Sequence, residues 1–285
     1  MNRMLICLSA AILSLWASSC QKDGSGEAYP LNEDVVLNDV SYGSHERQKM
    51  DIFLPAGRNR KTTGLLVFIH GGGWIGGSKD DLGFDLSRLQ VWKERFPDMA
   101  LITLNYQLVT GSQNRYPAAE EDVIQAMDYV YKNLTNYGLS SDICMSGGSA
   151  GAHLAALYSL KHNPERRVKG CIGISGAYDL NLLYETGNSQ ARQLLEMFLG
   201  GSPSQVPHVY QQASPIHFVT AQAPKFLLLH GNDDPLTPLS QAGEMIDKFE
   251  QLDIPYHRFV YDGGHGIPAE HEQEAIMLIQ AFLAE

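Results

Sequence analysis

Gly147-Gly148-Ser149-Ala150-Gly151 lies between an apolar run containing Ile143 and Met145 and a helix-forming run from Ala152 to Leu160. A Gly-x-Ser-x-Gly in that strand, sharp turn and helix setting is a nucleophile elbow. The small residues have a physical purpose. The turn is tight, so bulk on either side of Ser149 would clash, while the serine hydroxyl must stand clear of the sheet. The pattern alone is weak, because Gly and Ser abound in ordinary loops. Here three further pieces accompany it in a fixed order.

His70-Gly71-Gly72-Gly73-Trp74 follows the apolar run Leu65-Leu66-Val67-Phe68-Ile69. Consecutive glycines let backbone N–H groups turn toward one point without interference from Cβ. Such a turn can donate to the oxyanion that forms when an ester carbonyl is attacked. His230-Gly231-Asn232-Asp233-Asp234 follows the run Phe226 to Leu229. Gly263-Gly264-His265-Gly266 follows the run His257 to Tyr261. A Ser, Asp, His chain order is specific among serine-hydrolase folds.

On these residues the chain resembles an α/β-hydrolase of the HGGG-type carboxylesterase group, similar to bacterial esterases and to kynurenine formamidases. The resemblance covers about residues 35 to 285. It extends to Tyr116-Pro117-Ala118-Ala119-Glu120-Glu121-Asp122, Gly151-Ala152-His153-Leu154-Ala155 and Ser175-Gly176-Ala177-Tyr178-Asp179-Leu180. It implies an α/β fold with a mostly parallel central sheet flanked by helices, and hydrolysis without a cofactor or metal. One departure stands out. Asn105-Tyr106-Gln107-Leu108 occupies the place where such enzymes carry Tyr-Arg-Leu, so Gln107 removes a charged fork.

The candidate roles follow. Ser149 is the expected nucleophile. His265 is the expected general base, because Gly263, Gly264 and Gly266 free its loop to aim the ring at Ser149 and it falls last in chain order. It would take the serine proton and later give it to the leaving group. The family's His-Gly-x-x-Asp spacing places the orienting acid at Asp234, with Asp179 and Asp233 as alternatives. The oxyanion hole is expected from the N–H of Ala150 with those of Gly72 and Gly73. Trp74 is a candidate wall of the substrate pocket, with core packing as its alternative. His70, His153 and His230 are expected to be structural.

The 285 residues carry a formal charge of −11 and 44% hydrophobic residues, which suits one α/β domain with a large core. Loss of residues 1–19 would remove one cation, Arg3, and take the charge to −12. That balance argues against a nucleic-acid partner, which needs basic patches. Residues 1–19 read as a signal peptide, with an apolar stretch from Leu5 to Trp16 too short to span a bilayer. Ala17-Ser18-Ser19-Cys20 places Cys20 as a bacterial lipoprotein cysteine, and residues 20–34 as a lipidated tether. The expected location is the bacterial cell envelope, anchored to the membrane through Cys20 on its periplasmic or outer surface, with plain secretion as the alternative. Cys144 and Cys171 sit in apolar strand-like runs and read as buried thiols, with a bridge between neighbouring strands as the alternative outside the cytoplasm.

Along the chain, strands are expected at 35–43, 47–54, 65–70, 99–105, 143–146, 168–174, 226–229 and 257–261. Helices are expected at 85–96, 118–134, 149–161 and 189–199. Strand and helix alternation implies a parallel sheet covered on both faces. Residues 178 to about 222 break the rhythm after the sixth strand and are expected to form a small lid on the 35–285 hydrolase domain.

Other motifs fall away. Gly71-x-Gly73-x-x-Gly76 matches a dinucleotide fingerprint, but the next strand ends at Asn105 where that reading needs an acid. His271-Glu272-Gln273-Glu274-Ala275 lacks the second His of a zinc protease. The expected activity is cleavage of small-molecule or glycan esters through an acyl-enzyme. The alternatives are a C–N hydrolase of the arylformamidase type, a serine peptidase, and a non-catalytic surface glycan-binding protein.

Overall fold

The computed structural model describes residues 28–81 and 86–285, without the side chains of 86–89. The expected signal peptide, Cys20 and the first part of the tether lie outside the described residues. Eight strands form one sheet: β1 (Val35–Ser41), β2 (Lys49–Leu54), β3 (Gly64–Ile69), β4 (Met99–Leu104), β5 (Ile143–Gly148), β6 (Val168–Ile174), β7 (Lys225–Gly231) and β8 (Tyr256–Tyr261). Their spatial order is β1-β2-β4-β3-β5-β6-β7-β8. The β1–β2 and β2–β4 pairs are antiparallel, and every later pair is parallel.

The central strands read as continuous apolar runs because both faces are covered. Leu65, Val67 and Ile69 of β3 enter one core, and Leu66 enters the other. The larger core takes α2 (Ala118–Tyr137), α3 (Ala150–Lys161) and α7 (Ser240–Gln251). The smaller one takes Trp92 of α1 (Leu86–Arg95) and Ala275 and Phe282 of α8 (Glu272–Ala284). In α7 the buried Ala242, Met245, Ile246 and Phe249 recur at helical spacing. The expected helix from Ala118 to Leu134 runs on to Tyr137, where Gly138 at φ 71° ends it by a left-handed cap.

Between β6 and β7 the chain makes α4 (Leu180–Thr186), α5 (Ser189–Leu199) and α6 (Pro207–Ala213). Asp179 caps α4 by accepting from the N–H groups of Asn181 and Leu182. Asn188 caps α5 in the same way. Among the described residues no helix is long and apolar enough to cross a membrane.

Candidate active site

The β5–α3 junction holds Ser149 at φ 53° and ψ −120°, a conformation that an L residue adopts only when its surroundings impose it. The neighbours show why they must be small. A Cβ on Gly151 would stand 2.0 Å from the Ile69 carbonyl oxygen, because α3 begins hard against β3. The Ser149 N–H donates to Ile174 O at 2.8 Å, which fixes the turn to β6. The next residue, Ala150, opens α3, so its N–H has no partner within the helix. The N-terminus of α3 therefore presents donors and the positive end of its dipole beside the serine hydroxyl.

His265 and Asp234 come together on the loops after β8 and β7. His265 Nδ1 lies 2.8 Å from Asp234 Oδ2. Asp234 is 5% exposed and is held on every side. Its Oδ1 accepts from the Leu236 and Thr237 N–H groups, each at 2.9 Å. Its Oδ2 also accepts from the Thr237 hydroxyl at 2.8 Å. Burial disfavours the carboxylate, but the His265 bond and the Thr237 donors outweigh it and hold the acid down at about 2. A carboxylate bound to Nδ1 keeps a proton there and leaves the lone pair on Nε2.

The His265 loop is pinned by its neighbour, since the Gly266 N–H donates to Ser175 Oγ at 3.0 Å. Its side chain remains 29% exposed, toward an open cleft of about 480 Å³ that Ser149 also lines. The Ser149 hydroxyl makes no hydrogen bond among the described residues, a common slackness before substrate arrives. The two alternative acids are elsewhere engaged. Asp179 caps α4, and Asp233 is exposed with its N–H on Gly263 O.

The glycine turn after β3 forms the opposite wall of the cleft. Gly72, Gly73 and Trp74 all have positive φ, at 103°, 60° and 62°. The Ile75 and Gly76 N–H groups close the turn on Gly72 O at 3.2 and 3.0 Å. Among the described residues, the Gly72 and Gly73 N–H groups have no protein acceptor. The turn is braced from beneath. His70 Nδ1 donates to Gly71 O at 2.7 Å and its ring stacks on Tyr106 at 4.4 Å. Arg47 donates to Tyr106 O, Gly77 O and the Asn105 side chain, and lies 3.3 Å from His70 Nε2. Burial lowers the pKa of His70, which suits a neutral ring with these partners.

Trp74 is committed mostly to packing. Its ring is 4% exposed, stacks on Phe198 of α5 at 4.4 Å, and donates from Nε1 to His153 Nδ1 at 3.2 Å. It is absent from the wall of the main cleft and borders a smaller cavity beside Ser149. His153 donates its other nitrogen to Ala213 O at 2.7 Å, and burial pushes it down to about 4. His230 donates to Thr237 O at 2.6 Å and is likewise lowered by burial. Where the resemblance expects an arginine, Gln107 bonds the buried Asp122 through both its N–H (2.6 Å) and its side-chain amide (3.1 Å). Gln48 supplies a third donor to Asp122 at 2.7 Å.

Sequence reasoning missed Gln190 and Leu194 of α5, Ile75 and Leu236, all of which line the cleft. In α5, Leu194 follows Ala191 by three positions and precedes Phe198 by four. That apolar stripe is a legible signal that this face looks inward.

The BD-FAE family model matches residues 50–249, more than half of the chain. Among curated proteins, the chain is 28% identical over 269 residues to the probable carboxylic ester hydrolase LipM of Mycobacterium tuberculosis, covering 87% of this chain and 60% of that protein. It is 30% identical over 229 residues to esterase LipC of the same organism, covering 75% and 55%. It is 30% identical over 193 residues to the kynurenine formamidase of Danio rerio, covering 65% and 61%. The chain thus spans less than two thirds of the length of these relatives. Among solved structures, a truncated form of a carbohydrate esterase from gut microbiota superposes with a TM-score of 0.76 at 21% identity, covering 91% of this chain and 98% of that one. The esterase Est2 of Thermogutta terrifontis gives 0.68 at 20%, covering 89% and 94%. The fold is that of the α/β-hydrolases, and the chain belongs to the BD-FAE family.

Proposed function

We propose that this protein is a serine hydrolase that cleaves carboxylic esters of small molecules or acylated glycans. The observation that carries the reading is the 2.8 Å bond from His265 Nδ1 to a buried Asp234, made by a ring that shares one cleft with Ser149 and the glycine turn. Ser149 Oγ attacks the ester carbonyl as His265 Nε2 takes its proton. The carbonyl oxygen gains the charge, and the Ala150, Gly72 and Gly73 N–H groups donate to it. Collapse expels the alcohol, which receives the proton from His265, and leaves Ser149 acylated. Water then attacks, giving its proton to His265, and the carboxylic acid departs as Ser149 recovers a proton. Asp234 holds the imidazole in the useful tautomer and stabilises its charged form.

The relatives named as ester hydrolases support this reading, as does the likeness to a carbohydrate esterase. Among the described residues no Asp, Glu, Lys or Arg side chain lines the cleft, which suits an uncharged substrate. The likeness to a kynurenine formamidase keeps a C–N substrate in view, since the same three residues would serve it. The test is hydrolysis of p-nitrophenyl acetate beside a formanilide, by the chain starting after Cys20 and by Ser149→Ala. Ester turnover that vanishes in the variant supports the proposal. Turnover of the formanilide alone replaces it with the amide reading, and equal background rates for both proteins refute it.

The anchor is a second proposal. Residues 5–16 and the run Ala17-Ser18-Ser19-Cys20 support export and lipidation at Cys20 in a bacterial envelope. Palmitate labelling of the full chain in cells, lost in Cys20→Ala, is the expected result; unlabelled full-length protein counts against it.

A further inference from the structure

The loops that carry Ser149, Asp234 and His265 are all tied to Ile174 and Ser175, where β6 ends. Ile174 O accepts the Ser149 N–H at 2.8 Å. The Ser175 N–H donates at 2.9 Å to Leu229 O of β7, the strand that leads to Asp234. Ser175 O lies 3.1 Å from the Thr237 hydroxyl, a partner of Asp234. Ser175 Oγ accepts the N–H of Gly266, the neighbour of His265, at 3.0 Å. Ser175 itself is 1% exposed, borders the cleft and is held at φ 50°, a conformation that its surroundings impose.

These contacts divide between main chain and side chain. The N–H and C=O of Ser175 serve the acid's side of the site, and its hydroxyl alone serves the histidine's side. Ahead of His265 the loop has ties of its own. Asp233 N–H donates to Gly263 O at 3.0 Å, and Gly263 N–H donates to Asn232 Oδ1 at 3.3 Å. Past His265, among the described residues, the bond from Gly266 to Ser175 Oγ is the one that returns residues 266–268 to the sheet. Glycines at 264 and 266 give the loop little stiffness to replace it. Without that bond the His265 ring stays hinged on Asp234 at Nδ1, so the displacement falls on Nε2. Nε2 is the nitrogen that moves the proton.

Resting on the serine-esterase reading, we propose that Ser175 is a positioning residue whose Oγ holds His265 Nε2 within reach of both Ser149 Oγ and the leaving alcohol. In acylation the bond from Ser149 Oγ to the carbonyl carbon forms as Nε2 takes the serine proton. The ester C–O bond then breaks, and Nε2 returns that proton to the departing oxygen. A p-nitrophenolate departs as a stable anion and needs no proton, whereas ethoxide needs one. A misplaced Nε2 is therefore felt once by p-nitrophenyl acetate and twice by ethyl acetate, although both leave the same acetyl group on Ser149.

The experiment measures kcat/KM on both esters for the full chain as wild type, Ser175→Ala and Ser175→Gly, with the melting temperature of each. Misplacement by about 1 Å costs ~10²-fold, so both variants should lose that much on p-nitrophenyl acetate. On ethyl acetate the loss should be greater by a further ~10-fold or more, since the proton donor is misaligned as well. Glycine relieves the left-handed backbone and alanine keeps it, so Ser175→Gly should melt above Ser175→Ala with the same catalytic loss. The glycine variant also serves if Ser175→Ala fails to fold. A loss under ~10-fold on both esters, or equal losses on the two, overturns the proposal. So does activity that recovers along with the melting temperature in Ser175→Gly, because the residue then acts only through the fold. A wild type that cleaves neither ester removes the serine-esterase reading and the proposal that rests on it.

Discussion

Asp234→Asn separates the electrostatic role of the acid from its packing, because the side chain keeps its size and loses only its charge. The carboxylate accepts from His265, from two N–H groups and from the Thr237 hydroxyl, and these hold it at about 2 against an ordinary 3.8. A tenfold change in acidity is ~1.4 kcal/mol, so the folded state gains about 2 kcal/mol from the ionised form. The group is almost fully buried, so solvent screening takes little away. Because the folded value lies below the unfolded one, that stability is fully present above about pH 4 and disappears as pH falls toward 2. The assay is urea unfolding of wild type and variant between pH 6 and pH 2. The wild type should lead at pH 6 and lose about 2 kcal/mol of that lead by pH 2. Activity at neutral pH should fall by ~10⁴-fold, since an amide in place of the carboxylate favours the wrong tautomer of His265. A lead that does not change with pH, or a variant within tenfold of wild-type kcat, would refute the assignment of Asp234 as the charged partner of His265.

Ser149→Gly should abolish ester cleavage yet raise stability by about 1 kcal/mol, because glycine relieves the positive φ at the elbow; a lower melting temperature than wild type would contradict this. Gly72→Ala places a Cβ 2.3 Å from Gly76 O at φ 103°. It should displace the glycine turn and cost ~10²–10³ in kcat with a smaller change in KM, and an unchanged kcat would remove this turn from the oxyanion site. His153 is neutral when folded and takes its proton only near pH 4, while the unfolded residue takes it near 6.5. The wild type should therefore lose about 3 kcal/mol relative to His153→Gln as pH falls from 6.5 to 4; parallel stability curves would show that His153 is not buried neutral.

The elbow, the glycine turn and the Ser, Asp, His order were legible because each is a local backbone demand written in adjacent residues. A tight turn beside a packed helix requires small residues at 147 and 151, whatever lies elsewhere. The bond from Asp234 to His265 was legible only through the family spacing, since it spans 31 positions. Arg47 beneath the glycine turn was not legible at all. It reaches His70 and Tyr106 from the β1–β2 connection, 23 and 59 positions away, and nothing local marks it. The departure at Gln107 was visible in the sequence. Its resolution needed the structure, because Asp122 is satisfied by two amides and an N–H that meet only in the fold. The walls of the cleft were half legible. The stripe on α5 shows an inward face, but the object it faces depends on how the insertion folds back over β5.

Helix α3 is buried from Ala150 through Ser159, on every side. No partial opening of the surface can expose its backbone to water, so its amides should exchange with deuterium only when the whole protein unfolds. The Ser149 hydroxyl is thus mounted at the head of the helix expected to open last.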